Sequence, residues 1–333
     1  MQFPQREKIR QESYRRRHWP EMDDALESLP SVRTSPGFLP HGHESKAFYP
    51  PVAEGILTYC REKQLPVKAE ARNLRSSLVS CLNVLFPLRN YPDLACLALA
   101  PVLPGLVRVQ HFEFLFPEGG ASAKYLVNGN NEVPQLPGCQ CDAAIWWLDS
   151  FGQKRLSLCC WSYTETSYGT CGGFRSRTNP HQDSCLRMSV ADSGFPGSCY
   201  LSGKVNSWMN WELLTAAGIR LVAAADIAGC PFRGPFYQLL RYYALAAWLR
   251  HTENLDLVDV VSVGFEKNTN LNMSPRHLAV LGDDIIQAWN RLLSGVPALR
   301  YVCVEEIVAA LRHSRCGAAD DLLGYLRDRY GLD

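Results

Sequence analysis

The run Ala143-Ala144-Ile145-Trp146-Trp147-Leu148 is apolar at six successive positions, two of them tryptophan, and shows no polar alternation. Its length suits a strand, and a strand without a polar face has to be covered on both sides. That requirement selects a layered fold with helices on both faces of a sheet. The segments around it agree. Leu106 to Phe116 alternates loosely and ends at Pro117-Glu118-Gly119-Gly120, and Arg155 to Tyr163 follows the run after the turn Asp149-Ser150-Phe151-Gly152, so the second and third strands read as a hairpin.

Helical spacing appears before this group, where Leu74, Leu78, Cys81, Leu82 and Leu85 recur at three and four residues between Arg72 and Phe86, and Pro87 stops the helix. After it, helices are predicted over Ser207 to Ala217, Phe236 to Arg250 and Pro275 to Leu293, and again from Asp320. Strands are predicted over Ile219 to Ala225, Val258 to Phe265 and Leu299 to Val304. Mixed in this order, the elements indicate an α/β or α+β sheet flanked by helices. No internal repeat is visible. Residues 169–203, rich in Gly, Ser, Asn and Cys, read as a surface excursion too polar to supply core. Residues 1–70, with scattered prolines and the cluster Arg15-Arg16-Arg17-His18, read as a basic, loosely structured arm. That leaves 71–333 as the core. The basic cluster reads as a solvated helix end, with a phosphate clamp as the alternative.

With 34 Lys plus Arg against 33 Asp plus Glu, the net charge of +1 excludes a protein that coats nucleic acid by bulk charge, so any phosphate contacts must be local. The 13 cysteines are too sparse for a disulfide scaffold, and odd in number. Met1 to His18 contains no apolar core segment, and no stretch reaches the length of a membrane span, so a reduced cytoplasmic protein without a membrane segment is expected. Phosphate-binding loops, dinucleotide fingerprints, His-Glu-x-x-His helices and Gly-x-Ser-x-Gly elbows are absent. A Cys160–His181 nucleophile pair reads less readily than a filled strand position.

The chemistry-bearing spacing is Glu113 at the end of the first strand, Asp142 at the start of the second, and Cys160-Trp161-Ser162 in the third, where positions 160 and 162 share a face. Metal-dependent nucleases bring a carboxylate, an Asp from a hairpin strand and an acidic-x-Lys together, because Mg²⁺ takes oxygen ligands and activates water.

Over roughly residues 72–270 the chain resembles the PD-(D/E)xK nuclease superfamily, in particular a bacterial restriction-endonuclease-like family. The resemblance rests on Ser76-Ser77 and Asn83-Val84-Leu85-Phe86-Pro87-Leu88, on Glu113, Asp142 and Trp161, and on Tyr163-Thr164-Glu165, Ser167-Tyr168-Gly169 and Pro235-Phe236-Tyr237-Gln238-Leu239-Leu240-Arg241. Gln238 and Tyr242 form a Gln-x-x-x-Tyr similar to the one RecB-like nucleases place beside their active site. The resemblance implies a restriction-endonuclease-like mixed sheet, a DNA substrate, and Mg²⁺ held by Glu113 and Asp142 if the site is active. It also marks two departures. Cys160 stands where the family has Glu, and a thiol is a poor ligand for Mg²⁺. Ser162 stands where the family has the Lys that orients water and stabilises the phosphorane.

A degenerate, DNA-binding site is therefore the leading expectation. An active site rewired through Glu165, Lys154 or Arg241 is the alternative, although these three also read as a solvated strand end, a hairpin charge, and a helix-surface or phosphate contact. A third possibility is a structural subunit with a protein partner or a homo-oligomer, using the Cys-rich excursion as its interface. Cys139, Cys141, Cys159, Cys160, Cys171, Cys185, Cys199 and His181 fall within 61 residues and suggest a thiolate-bound metal. No Cys-x-x-Cys pair supports it, and small buried thiols explain them equally simply.

Overall fold

In the computed structural model, residues 1–22, 37–65, 67–117, 127–128, 131–132, 139–192, 194–202, 214–215, 217–253 and 255–333 are described. The core is one five-stranded sheet made of β1 (Leu106–Phe116), β2 (Cys141–Asp149), β3 (Lys154–Trp161), β4 (Leu257–Gly264) and β5 (Arg300–Cys303), in that spatial order. The first three strands are antiparallel, and β3–β4 and β4–β5 are parallel. Helix α5 (Phe236–Thr252) precedes β4, as a parallel pairing needs a crossover. The α/β class is as the sequence indicates.

Successive residues of the central strands feed different cores. Ala143, Ile145, Trp147, Cys159, Trp161, Val261 and Val263 pack with α1 (Phe3–His18), α2 (Pro50–Glu62), α3 (Ser77–Leu85), α4 (Pro92–Leu99), α7 (Val304–His313) and α8 (Asp320–Tyr330). Ala144, Leu156, Leu158, Cys160, Val258 and Val260 pack instead with α5 and α6 (Ile285–Asn290). The hairpin between β2 and β3 is set by Asp149, whose Oδ1 accepts from the N–H groups of Phe151 and Gln153 at 2.9 and 3.0 Å, and by Gly152 at φ +75°.

Several elements depart from the sequence expectations. The first seventy residues do not form a loose arm where they are described. Helix α1 buries Glu7, Gln11 and Arg15, and α2 joins the same core. The spacing of buried residues on α1 is helical, but between Phe3 and Tyr14 the buried positions Glu7 and Gln11 are polar, as is Arg15, which a hydrophobicity pattern does not register. Gln11 Nε2 donates to the Tyr163 hydroxyl at 2.9 Å and to the Arg329 carbonyl at 3.0 Å, and Tyr163 Oη donates to Glu7 at 2.9 Å. The basic cluster is largely spoken for: Arg15 is buried, and Arg17 and His18 both meet Asp328 of α8.

The strand expected over Ile219 to Ala225 is one bridge from Ile219 to Leu293 followed by a 3₁₀ turn at Leu221–Ala224. The long helix expected over Pro275 to Leu293 is broken at Gly282 (φ +128°), after which Asp284 caps α6 by accepting from Ile286 and Gln287 N–H at 2.9 Å. Most of the helix expected over Ser207 to Ala217 lies outside the described residues. The 169–203 excursion carries only short helical turns, yet Cys171, Val190 and Phe195 are buried, Val190 and Phe195 within the second core. No helix among the described residues is long and apolar enough to cross a membrane.

Because α1 supplies buried polar partners, Gln11→Leu should take away the donor that the Tyr163 hydroxyl and the Arg329 carbonyl share and cost about 1–3 kcal/mol. Urea unfolding of the full chain checks this; a loose arm would leave the midpoint unchanged.

Candidate functional site

The hairpin places Asp142 beside the last residues of β3. The β2–β3 pairing ends at Ala143–Cys159, and beyond it Asp142 Oδ2 accepts the Trp161 backbone N–H at 2.8 Å. Burial first, with the Trp161 N–H pulling the other way and Glu165 and Glu70 adding to it, pushes the Asp142 carboxyl up to about 7. Glu165, just past β3, is exposed but anchored: its Oε2 accepts from the Ser77 hydroxyl at 2.5 Å and from the Tyr163 N–H at 2.8 Å. Glu70 accepts from Ser76 Oγ at 2.8 Å, and Ser76 also caps α3. These three carboxylates line one cavity of about 560 Å³ together with Asn73, Arg75 and Gln140. Arg75 Nε is buried there with no hydrogen-bond partner from the protein.

Position 160 is sealed. Cys160 is 1% exposed, and burial holds its thiol well above the ordinary range. Gln238 of α5 donates from Nε2 to the thiol at 3.7 Å and to the Tyr242 hydroxyl at 3.0 Å, while its Oε1 accepts the Gly169 N–H. Gln238 and Tyr242, one turn apart on α5, thus lie directly against Cys160. Ser162 is buried, its N–H donating to the Val263 carbonyl at 2.8 Å in continuation of the β3–β4 pairing.

Glu113 is placed differently from the sequence expectation. It stands opposite Ala144, and the residue between the pairs Phe114–Ala143 and Phe116–Cys141 is Leu115, at φ +49°. Leu115, not Glu113, lines the Asp142 cavity; the charge of Glu113 acts on Tyr59 and His111. The structure therefore does not bring Glu113 and Asp142 together around one cavity. Sequence reasoning missed Glu70, which carries no motif of its own. Ser77 and Glu165 stand among the residues of the resemblance, and Glu165 also as a rewiring candidate, but nothing in the sequence pairs the two.

The donor set does not fit Mg²⁺ as the sequence suggested. The neighbouring strand position, Cys160, is a thiol, and Mg²⁺ takes hard oxygen ligands. Among the described residues, no three His, Cys, Asp or Glu side chains are close enough to enclose a metal ion as they stand. A second depression, lined by Cys139, Gly169, Tyr237, Gln238, Arg241 and Tyr242, shares Gln140 with the first. Arg75 and Arg241 thus stand on either side of Gln140 in adjoining concavities.

A raised carboxyl is a cost to the folded state once the group ionises. Below about pH 4 both folded and unfolded chains are protonated at this residue. As pH rises from the ordinary 3.8 through about 7 the unfolded chain ionises first and stability falls. Asp142→Asn keeps an acceptor for the Trp161 N–H without the charge. It should match wild type near pH 4 and melt several degrees higher at pH 8, a difference read by thermal unfolding at both pH values.

Comparison of the chain with protein-family models, with curated proteins and with solved structures gives no match.

Proposed function

We propose that this is a restriction-endonuclease-like protein of the PD-(D/E)xK type that binds nucleic acid, DNA foremost, without cleaving it. The observation that carries the reading is position 160. Where the resembled family has a metal-binding Glu, this chain has a thiol closed under Gln238 and Tyr242. The element order supports the same reading: a helix, three antiparallel strands, a crossover helix and a parallel strand, with Asp142 bonded to the Trp161 N–H between positions 160 and 162. Removal of the Glu and the Lys leaves no general means of activating water at this place, and each loss costs orders of magnitude in rate.

Binding can outlast chemistry because the two use different groups. The adjoining concavities offer Arg75 and Arg241 for phosphate, with Gln140, Asn73 and Gln238 as hydrogen-bonding groups between and around them. All 13 cysteines are free thiols, which fits a reducing compartment such as the cytoplasm.

A second reading has one specific observation in its favour. Glu70, Asp142 and Glu165 line a single cavity, so a rewired hydrolytic site would draw on those carboxylates and not on Glu113.

Plasmid and single-stranded DNA separate the two readings. Wild type should leave both uncut with Mg²⁺ or Mn²⁺. Its affinity for a labelled duplex should fall by about tenfold or more between 50 and 200 mM salt, with Arg75→Ala and Arg241→Ala binding more weakly and Asp142→Ala no more weakly than wild type. Metal-dependent nicking abolished by Asp142→Ala and Glu165→Ala would replace the non-cleaving reading with the rewired one. Absence of binding to DNA and RNA at low salt would sink both.

A further inference from the structure

The two faces of the β1–β2 pair are finished differently. On one face Val109, Phe112 and Phe114 pack with Ala143, Ile145 and Trp147 in the first core. The other face pairs His111 with Trp146, Glu113 with Ala144 and Phe116 with Cys141. Over β3 and β4 this second face is covered by α5, which packs on Leu156, Leu158, Cys160, Val258 and Val260. Toward the β1 edge the cover ends. Trp146 and Phe116 rest half-buried against the margin of that core, and His111 beyond them is exposed. The rings left there are ordered among themselves. Those of His111 and Trp146 stack with centroids 4.2 Å apart and planes 12° from parallel, and Phe116 meets Trp146 edge-on at 5.0 Å. Cross-strand pairing sets this arrangement, because side chains directly opposite on one face of an antiparallel pair stand about 5 Å apart.

Among the described residues Trp146 is the one ring that His111 meets, so the exposed imidazole is the open end of a short ring stack. Partial burial holds its pKa below the ordinary value against the pull of Glu113, which leaves a neutral π surface at pH 7. What borders the strip indicates its occupant. At one end Phe116 adjoins the two concavities: Gln140 lines both, and its Nε2 donates to the Leu115 and Pro117 carbonyls on either side of Phe116 at 3.0 Å each. At the other end Arg108 stands opposite Leu148, exposed and in no ion pair among the described residues. Cations at both ends with rings between them match a chain of phosphates and bases. Glu113, on the same face, repels a phosphate from the middle of the strip but can accept from the amino group of a base. In a duplex the bases are stacked on one another and paired, so only an unpaired base can lie against a side-chain ring.

We propose that His111, Trp146 and Phe116 form a stacking platform for unpaired bases, so that the nucleic acid this protein prefers is single-stranded. Its backbone is held by Arg108 at one end of the strip and by Arg75 and Arg241 at the other. The inference rests on the nucleic-acid reading above and adds to it the kind of strand. A base extends the ring stack at His111, while Trp146 and Phe116 fix the imidazole from behind. Such a contact tolerates any sequence, because every base has a π face.

Fluorescence anisotropy of the full-length protein tests this with a labelled DNA strand of about 12 nucleotides and with the blunt duplex of the same sequence. At low salt the single strand should bind about tenfold or more tighter than the duplex. His111→Ala should weaken the single strand by about 5- to 100-fold, the worth of one stacked base, and leave duplex binding unchanged. His111→Tyr keeps a ring and should retain most of the affinity, whereas Arg75→Ala should weaken both forms of DNA alike. Should His111→Ala fail to fold, the preference of wild type for single strand over duplex decides. Salt-sensitive duplex binding with no preference for the single strand would overturn the platform and leave the nucleic-acid reading standing, as would a His111→Ala protein that binds both forms like wild type or loses both equally. Absence of binding to either form at low salt would remove the platform together with that reading.

Discussion

Strand β3 has no face left for water. From Leu156 to Trp161 every residue is buried, alternately beneath the α1–α4, α7 and α8 layer and beneath α5. Each position on it must therefore be apolar or have its polar atoms satisfied within the protein. An ionised Glu at position 160 would need a cation to offset its desolvation, and a Lys at 162 would need an anion; the cysteine and serine present there need neither. With no charge at either position, the strand end is closed, and Gln238 and Tyr242 fill the space beside the thiol. Asp142 remains in a structural role, its carboxyl taking the Trp161 N–H where the β2–β3 ladder gives out.

The central sheet was legible because its signal is physical and local. An unbroken apolar run between turn residues reads as an interior strand, and β1, β2, β3, β4 and β5 each lie within a residue or two of the segments their composition marks. Helix α5 was legible for the same reason. What failed were elements whose burial is offset by hydrogen bonds. Helix α1 hides Glu7, Gln11 and Arg15 against Tyr163 and Arg329, and no hydropathy reading assigns those residues to an interior. The helix expected across Pro275 to Leu293 failed at one glycine, because Gly282 adopts a backbone conformation that ends a helix and the new start is fixed by Asp284.

The site was legible in part. Cys160, Gln238 and Tyr242 converge, with Asp142 on the Trp161 N–H beside them, because strand pairing and a one-turn helical spacing carry directly into space. Glu113 does not reach the cavity, since Leu115 takes the place beside Asp142 at a backbone irregularity no sequence pattern announces. Glu70 comes from the short helical segment Val67–Ala71 ahead of α3, and only the fold brings it to the cavity; Ser77, the first residue of α3, meets Glu165 there.

The contact between α1 and α8 ties nearly opposite ends of the described chain. Arg17 and His18 hold Asp328, and Gln11 bonds the Arg329 carbonyl. During synthesis on the ribosome, α1 emerges long before its partner exists, and its buried carboxylate and guanidinium stay in water until α8 follows. Helix α1, made before every strand of the sheet, is thus among the last parts of this fold to be locked in place, and a nascent chain halted before Asp328 would lack the partners of Arg17, His18 and Gln11.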